Sequence, residues 1–186
     1  GTRILWNALL SGDIDIYPEY TGTITQEILA GKGIAGLPQI RQALAEQGIG
    51  MSLPLGFNNT YAIGIKEELA VRLDIAKISD LARHPELRFG FGNEFMERGD
   101  GWPGLRDRYG LPQREVRGLD HDLAYRGLQS GDIDAMDLYS TDAEIKHYNL
   151  RALADDQGYF PEYLVLLIYR LDLNDRAPQA LAAMHK

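Results

Sequence analysis

Leu10-Ser11-Gly12-Asp13-Ile14-Asp15 and Gln129-Ser130-Gly131-Asp132-Ile133-Asp134 are two versions of one phrase. The first runs on through Tyr17-Pro18-Glu19 to Tyr20-Thr21-Gly22, and the second runs on to Tyr139-Ser140-Thr141. Ser11 and Ser130 are 119 positions apart, as are Tyr20 and Tyr139, so the copies stay in register without a gap. Each copy reads as the end of a helix, a glycine where a left-handed cap would sit, a short buried strand and a polar turn. In α/β domains ligands bind outside the carboxyl ends of such strands. Two related lobes, each offering a tyrosine just after a strand, predict a cleft with an aromatic on both sides.

Working outward from the first copy, residues 3–10 are predicted as an amphipathic helix, 13–17 as a strand and 18–22 as a turn. A helix over 39–47 precedes two strand-like runs, 51–55 and 61–65, which are broken by the polar Asn58-Asn59-Thr60. Further on, the pattern predicts a helix from Lys66 to about Leu73, a strand over 88–92, a helix from Trp102 to Tyr109 and a strand at Val116. A helix over 121–129 leads into the second copy, and Leu164-Val165-Leu166-Leu167-Ile168-Tyr169 reads as a buried strand from its unbroken apolar run. Strands alternating with helices predict an α/β class with mostly parallel sheets. Extended segments meet polar turn residues near 56–60 and 155–163. If the chain crosses between lobes there, residues 1–55 and 164–186 form one lobe and 61–154 the other.

At 186 residues the chain is long enough for one large domain or two small lobes. A net charge of −8 argues against nucleic acid or an anionic membrane surface as a partner, since both need a basic patch. The sequence has no cysteine, which removes disulfides, thiolate zinc sites and cysteine nucleophiles together and fits an exported bacterial protein. No apolar run approaches the roughly 18 residues that a membrane span needs. The chain opens at the start of a helix and closes inside a helical pattern, so it is expected to be a piece of a longer polypeptide, truncated at both ends.

Asp13 with Asp15, and Asp132 with Asp134, are spaced so that a strand would put each pair on one face, as metal or phosphoryl chemistry requires. The simpler reading is a helix-to-strand connector in which one aspartate hydrogen-bonds the turn; no further carboxylate or histidine recurs at matched offsets. Histidines 84, 121, 147 and 185 are scattered and read as surface or structural, and no phosphate-binding glycine loop is present. Tyr20, Tyr61, Tyr139 and Tyr163 instead sit beside turn residues after strand-like runs. Rings facing a cleft attract a cation that cannot hydrogen-bond, such as a quaternary ammonium.

Five stretches then stand together in order: residues 12–23, Phe57 to Ala62, Glu94-Phe95 with Arg98 to Gly101, Tyr139 to Asp142, and Phe160-Pro161-Glu162-Tyr163. They resemble the substrate-binding proteins of osmoprotectant ABC transporters (OpuAC-like), which take up glycine betaine, choline, carnitine and related compounds. The resemblance implies a two-lobe, type II periplasmic binding protein fold that closes around its ligand. It implies an aromatic box of Tyr20, Tyr61, Tyr139 and Tyr163, with the backbone carbonyl of Asn59 adding partial negative charge. Thr23 and Arg98 match positions that hold a ligand carboxylate, a role that suits a guanidinium physically. The implied ligand is a small quaternary ammonium molecule and the implied partner an ABC permease, separate or fused in the same polypeptide. The implied location is the periplasm or the extracytoplasmic face of the membrane, with no cofactor, no metal and no catalysis. A ligand-sensing domain of a regulator with the same fold is the alternative, and an enzyme built on the same cleft a third class; neither a helix-turn-helix segment nor an acid–base set supports them.

Overall fold

The glycines of the two repeat copies end their helices in the same way. In the computed structural model, which describes residues 1–184, Gly12 (φ 86°) caps the helix Thr2–Ser11 and Gly131 (φ 84°) caps the helix His121–Ser130. This left-handed conformation is one that a residue with a Cβ rarely adopts. The amides of Gly12, Asp13 and Ile14 all donate to the carbonyl of Ala8, and those of Gly131, Asp132 and Ile133 to that of Gly127. Ser11 Oγ donates to Asp13 (2.7 Å) and Ser130 Oγ to Asp132 (2.6 Å). Asp15 meets Arg176, and Asp134 takes a bidentate contact from Arg88 (3.0 and 3.1 Å). The four aspartates therefore serve as connector and ion-pair residues.

Because the cap uses residues 12–14, the following strand starts later than the apolar pattern predicts. Among the described residues there are eight strands: β1 Ile16–Tyr20, β2 Ile49–Met51, β3 Tyr61–Lys66, β4 Phe89–Gly92, β5 Val116–Leu119, β6 Ala135–Tyr139, β7 Leu150–Ala152 and β8 Val165–Arg170. The predicted strand 13–17 is thus Ile16–Tyr20, and Tyr20 and Tyr139 are the last residues of strands rather than residues of the turns beyond them. The predicted turn over 18–22 is replaced by the end of β1 and a short helical segment, Thr21–Thr23. Pro18 is accepted inside β1 because β1 is an edge strand, hydrogen-bonded on one side only.

The chain divides into two compact units, Gly1–Asn59 with Glu162–Lys186, and Thr60–Pro161. In the first unit, β8 lies between β1 and β2 and is antiparallel to both. Its apolar run packs Leu166 and Ile168 into a core with Trp6, Leu9, Ile24, Leu29, Ile40, Leu44 and Met51. Each such side chain contributes about 1.5–3 kcal/mol by leaving water.

The second unit has a five-stranded sheet of order β5-β4-β6-β3-β7. β4 is parallel to β5 and β6, whereas β3 is antiparallel to β6 and β7. The expectation of mostly parallel sheets is therefore wrong. An unbroken apolar run shows that both faces of a strand are covered, but not which way its neighbours run, and β8 has that signature in a wholly antiparallel sheet. The direction of β3 has a useful consequence. The carboxyl ends of the parallel neighbours β4 and β6 share one edge of the sheet, and the antiparallel β3 brings its first residue, Tyr61, to the same edge.

The helix Pro178–Met184 carries the end of the described chain, and His185 and Lys186, where helical pattern and a scattered histidine were expected, lie outside it. No helix among the described residues is long and apolar enough to cross a membrane.

Candidate functional site

In the second unit the register that pairs β3 with β6 sets Tyr61 directly opposite Tyr139. Their ring centroids are 5.2 Å apart and tilted by 38°. Phe95, in the short helix that follows β4, lies 5.1 Å from Tyr61, and Phe160 lies 6.1 Å from Tyr61 and 6.2 Å from Phe95. Phe95 continues into the core through Phe91 (5.2 Å), which contacts Phe89 and Trp102. The half-buried Tyr139 and Phe160 are thus fixed, through Tyr61 and Phe95, to a ladder of buried aromatics. Offset and tilted pairs of this kind contribute about 0.5–1.5 kcal/mol each beyond area burial.

Two carboxylates position the cluster's outer members. Asp142 Oδ2 accepts from the Tyr139 amide (2.9 Å), the Tyr125 hydroxyl (2.6 Å) and His121 Nε2 (3.3 Å). The His121 ring packs 4.9 Å from that of Tyr139, and its Nδ1 lies 3.8 Å from the buried Asp137. Asp155 takes the Tyr109 hydroxyl (2.5 Å) and the amides of Tyr159 (2.9 Å) and Phe160 (2.8 Å). In both places a tyrosine hydroxyl anchors a carboxylate that in turn holds the backbone of a cluster residue. Burial, the largest cause in each case, pushes the phenols of Tyr61 and Tyr139 above the ordinary tyrosine range. Both phenols therefore stay protonated and uncharged at physiological pH.

Arg98 follows the helix Asn93–Glu97, and its guanidinium lies 5.6 Å from the Tyr61 centroid. Its Nε and Nη2 each donate to Asp100 at 2.7 Å, and Nη1 lies 3.8 Å from Glu94 Oε1. The Arg98 and Asp100 side chains are only 6% and 3% exposed, whereas that of Glu94 is 49% exposed. The Tyr159 hydroxyl donates to the carbonyl of Gly101 (2.9 Å) and so joins the loop of Phe160 to the loop of Arg98.

In the first unit, Tyr20 closes β1 opposite Val165, and Tyr163 lies just before β8 with 2% of its surface exposed. Thr21 stitches the two segments together: its amide donates to the Leu164 carbonyl (3.0 Å), its hydroxyl donates to the Glu162 carbonyl (2.8 Å), and the same hydroxyl accepts from the Leu164 amide (3.0 Å). The Tyr163 amide donates to Asn58 Oδ1 (2.8 Å), and the Asn59 amide donates to the Tyr163 carbonyl (3.0 Å). A Cβ built on Gly22 would lie 2.5 Å from Tyr163 Cε1, so a bare backbone is required beneath that ring. Thr23 is buried in the same helical turn.

Of the residues singled out from sequence, the second unit brings together Tyr61, Tyr139 and Arg98. The first unit gathers Tyr20, Thr23, Asn59 and Tyr163 around the seam between residues 20–23 and 162–165. Phe95, Asp100, Asp142 and Phe160 stand inside stretches that the sequence marks as motifs; Phe95 and Phe160 meet Tyr61 from far along the chain, whereas Asp100 pairs with Arg98 two residues away and Asp142 joins the nearby Tyr139 amide to the more distant Tyr125 and His121. His121 carried no signal.

The family described as the substrate-binding domain of the ABC-type glycine betaine transport system matches residues 1–186. The chain belongs to this family. It is 35% identical over 201 residues to the ergothioneine transport permease/ergothioneine binding protein EgtU of Helicobacter pylori, covering all of this chain and 34% of that protein. It is 32% identical to a glycine-betaine-binding protein of Pseudomonas aeruginosa, covering 96% of this chain and 63% of that one. The chain thus spans about a third to just under two thirds of the curated relatives it matches. A crystal structure of a glycine betaine/carnitine/choline ABC transporter protein superposes with a TM-score of 0.72 at 30% identity, over 99% of this chain and 70% of that chain. The α/β fold is that of the type II periplasmic binding proteins, and the relatives are transport and binding proteins rather than enzymes.

Proposed function

We propose that this chain captures a quaternary ammonium compound for an ABC importer, without any chemical step. The ligand class is glycine betaine, choline, carnitine or a trimethylated amino acid such as ergothioneine. The observation that carries the proposal is the group Tyr61, Tyr139, Phe95 and Phe160, set on a buried aromatic ladder at one edge of the second unit's sheet. A trimethylammonium group offers no hydrogen-bond donor, so a rigid set of ring faces is the means of holding it. Each face contributes about 0.5–2 kcal/mol. Three of them, on Tyr61, Tyr139 and Phe160, supply a substantial part of the roughly 8 kcal/mol behind a micromolar affinity, with the buried Phe95 packed behind Tyr61.

In the first unit Tyr20 and Tyr163 add rings and the Asn59 carbonyl adds partial negative charge, while Thr23 and Arg98 take a ligand carboxylate. The chain passes between lobes near 56–60 and 155–163, with lobe 1 formed by 1–55 and 164–186 and lobe 2 by 61–154. The protein works in the periplasm or at the extracytoplasmic face of the membrane and delivers to a permease. That permease is a separate subunit or, as in the permease/binding protein relative, part of the same polypeptide.

Isothermal titration of the intact protein against glycine betaine, choline, carnitine and ergothioneine tests this. At least one should bind with micromolar affinity or better, and Tyr61→Ala or Tyr139→Ala should weaken it by about 2- to 30-fold. No binding to any of the four, or unchanged affinity in the double Tyr→Ala variant, would overturn the proposal.

A further inference from the structure

The geometry points to Asp100 as a specificity-determining residue that cancels the charge of Arg98 at the Tyr61 ring, so that the site accepts a net cation as well as a zwitterion. This rests on the quaternary ammonium reading above. The difficulty that Asp100 resolves is plain from the distances: a guanidinium 5.6 Å from the Tyr61 centroid occupies the surroundings of a ring that is proposed to attract a second positive charge. Two cations sharing one ring repel, and burial strengthens the repulsion because little water screens it.

Asp100 meets the guanidinium through two parallel hydrogen bonds of 2.7 Å, and both side chains are more than nine-tenths buried. The pair is therefore close to neutral as seen from the ring. Glu94 also faces Arg98, but at 3.8 Å and half exposed, where solvent and salt weaken its effect. Of these two carboxylates, Asp100 is the buried counter-charge. A guanidinium paired in this way does not present an uncompensated charge to a trimethylammonium group.

The consequence is selective. With Asp100 neutralised, a zwitterion still places its own carboxylate near Arg98, whereas a net cation meets the bare guanidinium. At an effective dielectric near 20, an uncompensated unit charge this close to a bound cation changes affinity by about tenfold or more.

The experiment titrates glycine betaine, carnitine and ergothioneine, and the methyl ester of each, into the intact protein and its Asp100→Asn variant. An ester keeps the trimethylammonium group and removes only the negative charge. Asp100→Asn should weaken the ester about tenfold or more relative to its parent acid, a ratio in which general damage to the fold cancels. The variant Arg98→Gln with Asp100→Asn removes both charges, keeps the polar contact and serves if the single variant folds poorly. It should restore the ester to within about threefold of wild type while the acid stays weakened. Equal losses for acid and ester, or an ester no better in the double variant than in the single one, would overturn the inference while leaving the binding proposal intact. A wild-type protein that rejects every ester also overturns it. A wild-type protein that binds none of the six compounds overturns the binding proposal and this inference together.

Discussion

Gly22→Ala tests whether the Tyr163 ring is seated as the structure shows. Gly22 lies in the helical turn Thr21–Thr23, where alanine is ordinarily the better residue by about 1 kcal/mol. A Cβ there would lie 2.5, 2.6 and 2.9 Å from Cε1, Cδ1 and Cζ of Tyr163, about 1 Å inside ordinary carbon–carbon contact. The backbone of Tyr163 resists a shift, because Asn58 Oδ1 holds its amide and the Asn59 amide holds its carbonyl. The ring must then leave its rotamer or push its neighbours, at a cost of about 1–3 kcal/mol for overpacking. Net of the propensity gain, the expected loss of stability is about 0–2 kcal/mol, together with weaker ligand binding if Tyr163 belongs to the site. A double-mutant cycle with Tyr163→Ala separates the terms. Once the ring is gone, Gly22→Ala should become neutral or stabilising by up to about 1 kcal/mol. The assay is urea denaturation of the four variants, with ligand titration alongside. Equal destabilisation by Gly22→Ala with and without the Tyr163 ring would show that the glycine answers to something else.

Asp142→Ala should destabilise the protein by about 2–5 kcal/mol, because it strands the buried Tyr125 hydroxyl and the Tyr139 amide. In denaturant titrations, stability within 1 kcal/mol of wild type would refute this supporting role. Arg170, and secondarily Arg176, holds the Asp172 carboxyl down to about 2. A depressed acid contributes stability that is present above its unfolded pKa, near 4, and lost as pH falls toward 2. Asp172→Asn should therefore show a smaller loss of stability than wild type between pH 4 and pH 2 in urea melts. Parallel curves would count against the ion pair.

How much of this was legible in the sequence follows from the range of the contacts involved. Ser11, Gly12 and Asp13 form a cap closed within seven residues, Ala8 to Ile14, and Ser130, Gly131 and Asp132 repeat it with the same three amides on one carbonyl. Local chemistry of that kind is written directly in the chain, so the helix ends and the duplication can be read from it. The start of β1 was missed by three residues because the cap uses Asp13 and Ile14, which an apolar count assigns to the strand. Strand direction was missed because covered faces leave the same apolar signature in either sense, as β8 shows.

The two copies themselves show where local legibility ends. Tyr20 and Tyr139 occupy the same position in the repeat, each the last residue of a strand. Around Tyr139 the second unit places Tyr61, His121 and Asp142, drawn from β3, the helix His121–Ser130 and the loop after β6. Around Tyr20 the first unit places a seam in which Thr21 joins residues 162–164. The shared part is the scaffold that delivers a tyrosine to a strand end, and it depends on neighbours in sequence. The unshared part is the set of partners that gives each ring its environment, and apart from Asp142 it depends on residues about twenty to more than a hundred positions away. The repeated Gly-Asp-Ile-Asp phrase belongs to the shared scaffold, whereas Asp142, which joins Tyr139 to Tyr125 and His121, belongs to the unshared set, and it is there that the substitution predicted above should loosen the cluster.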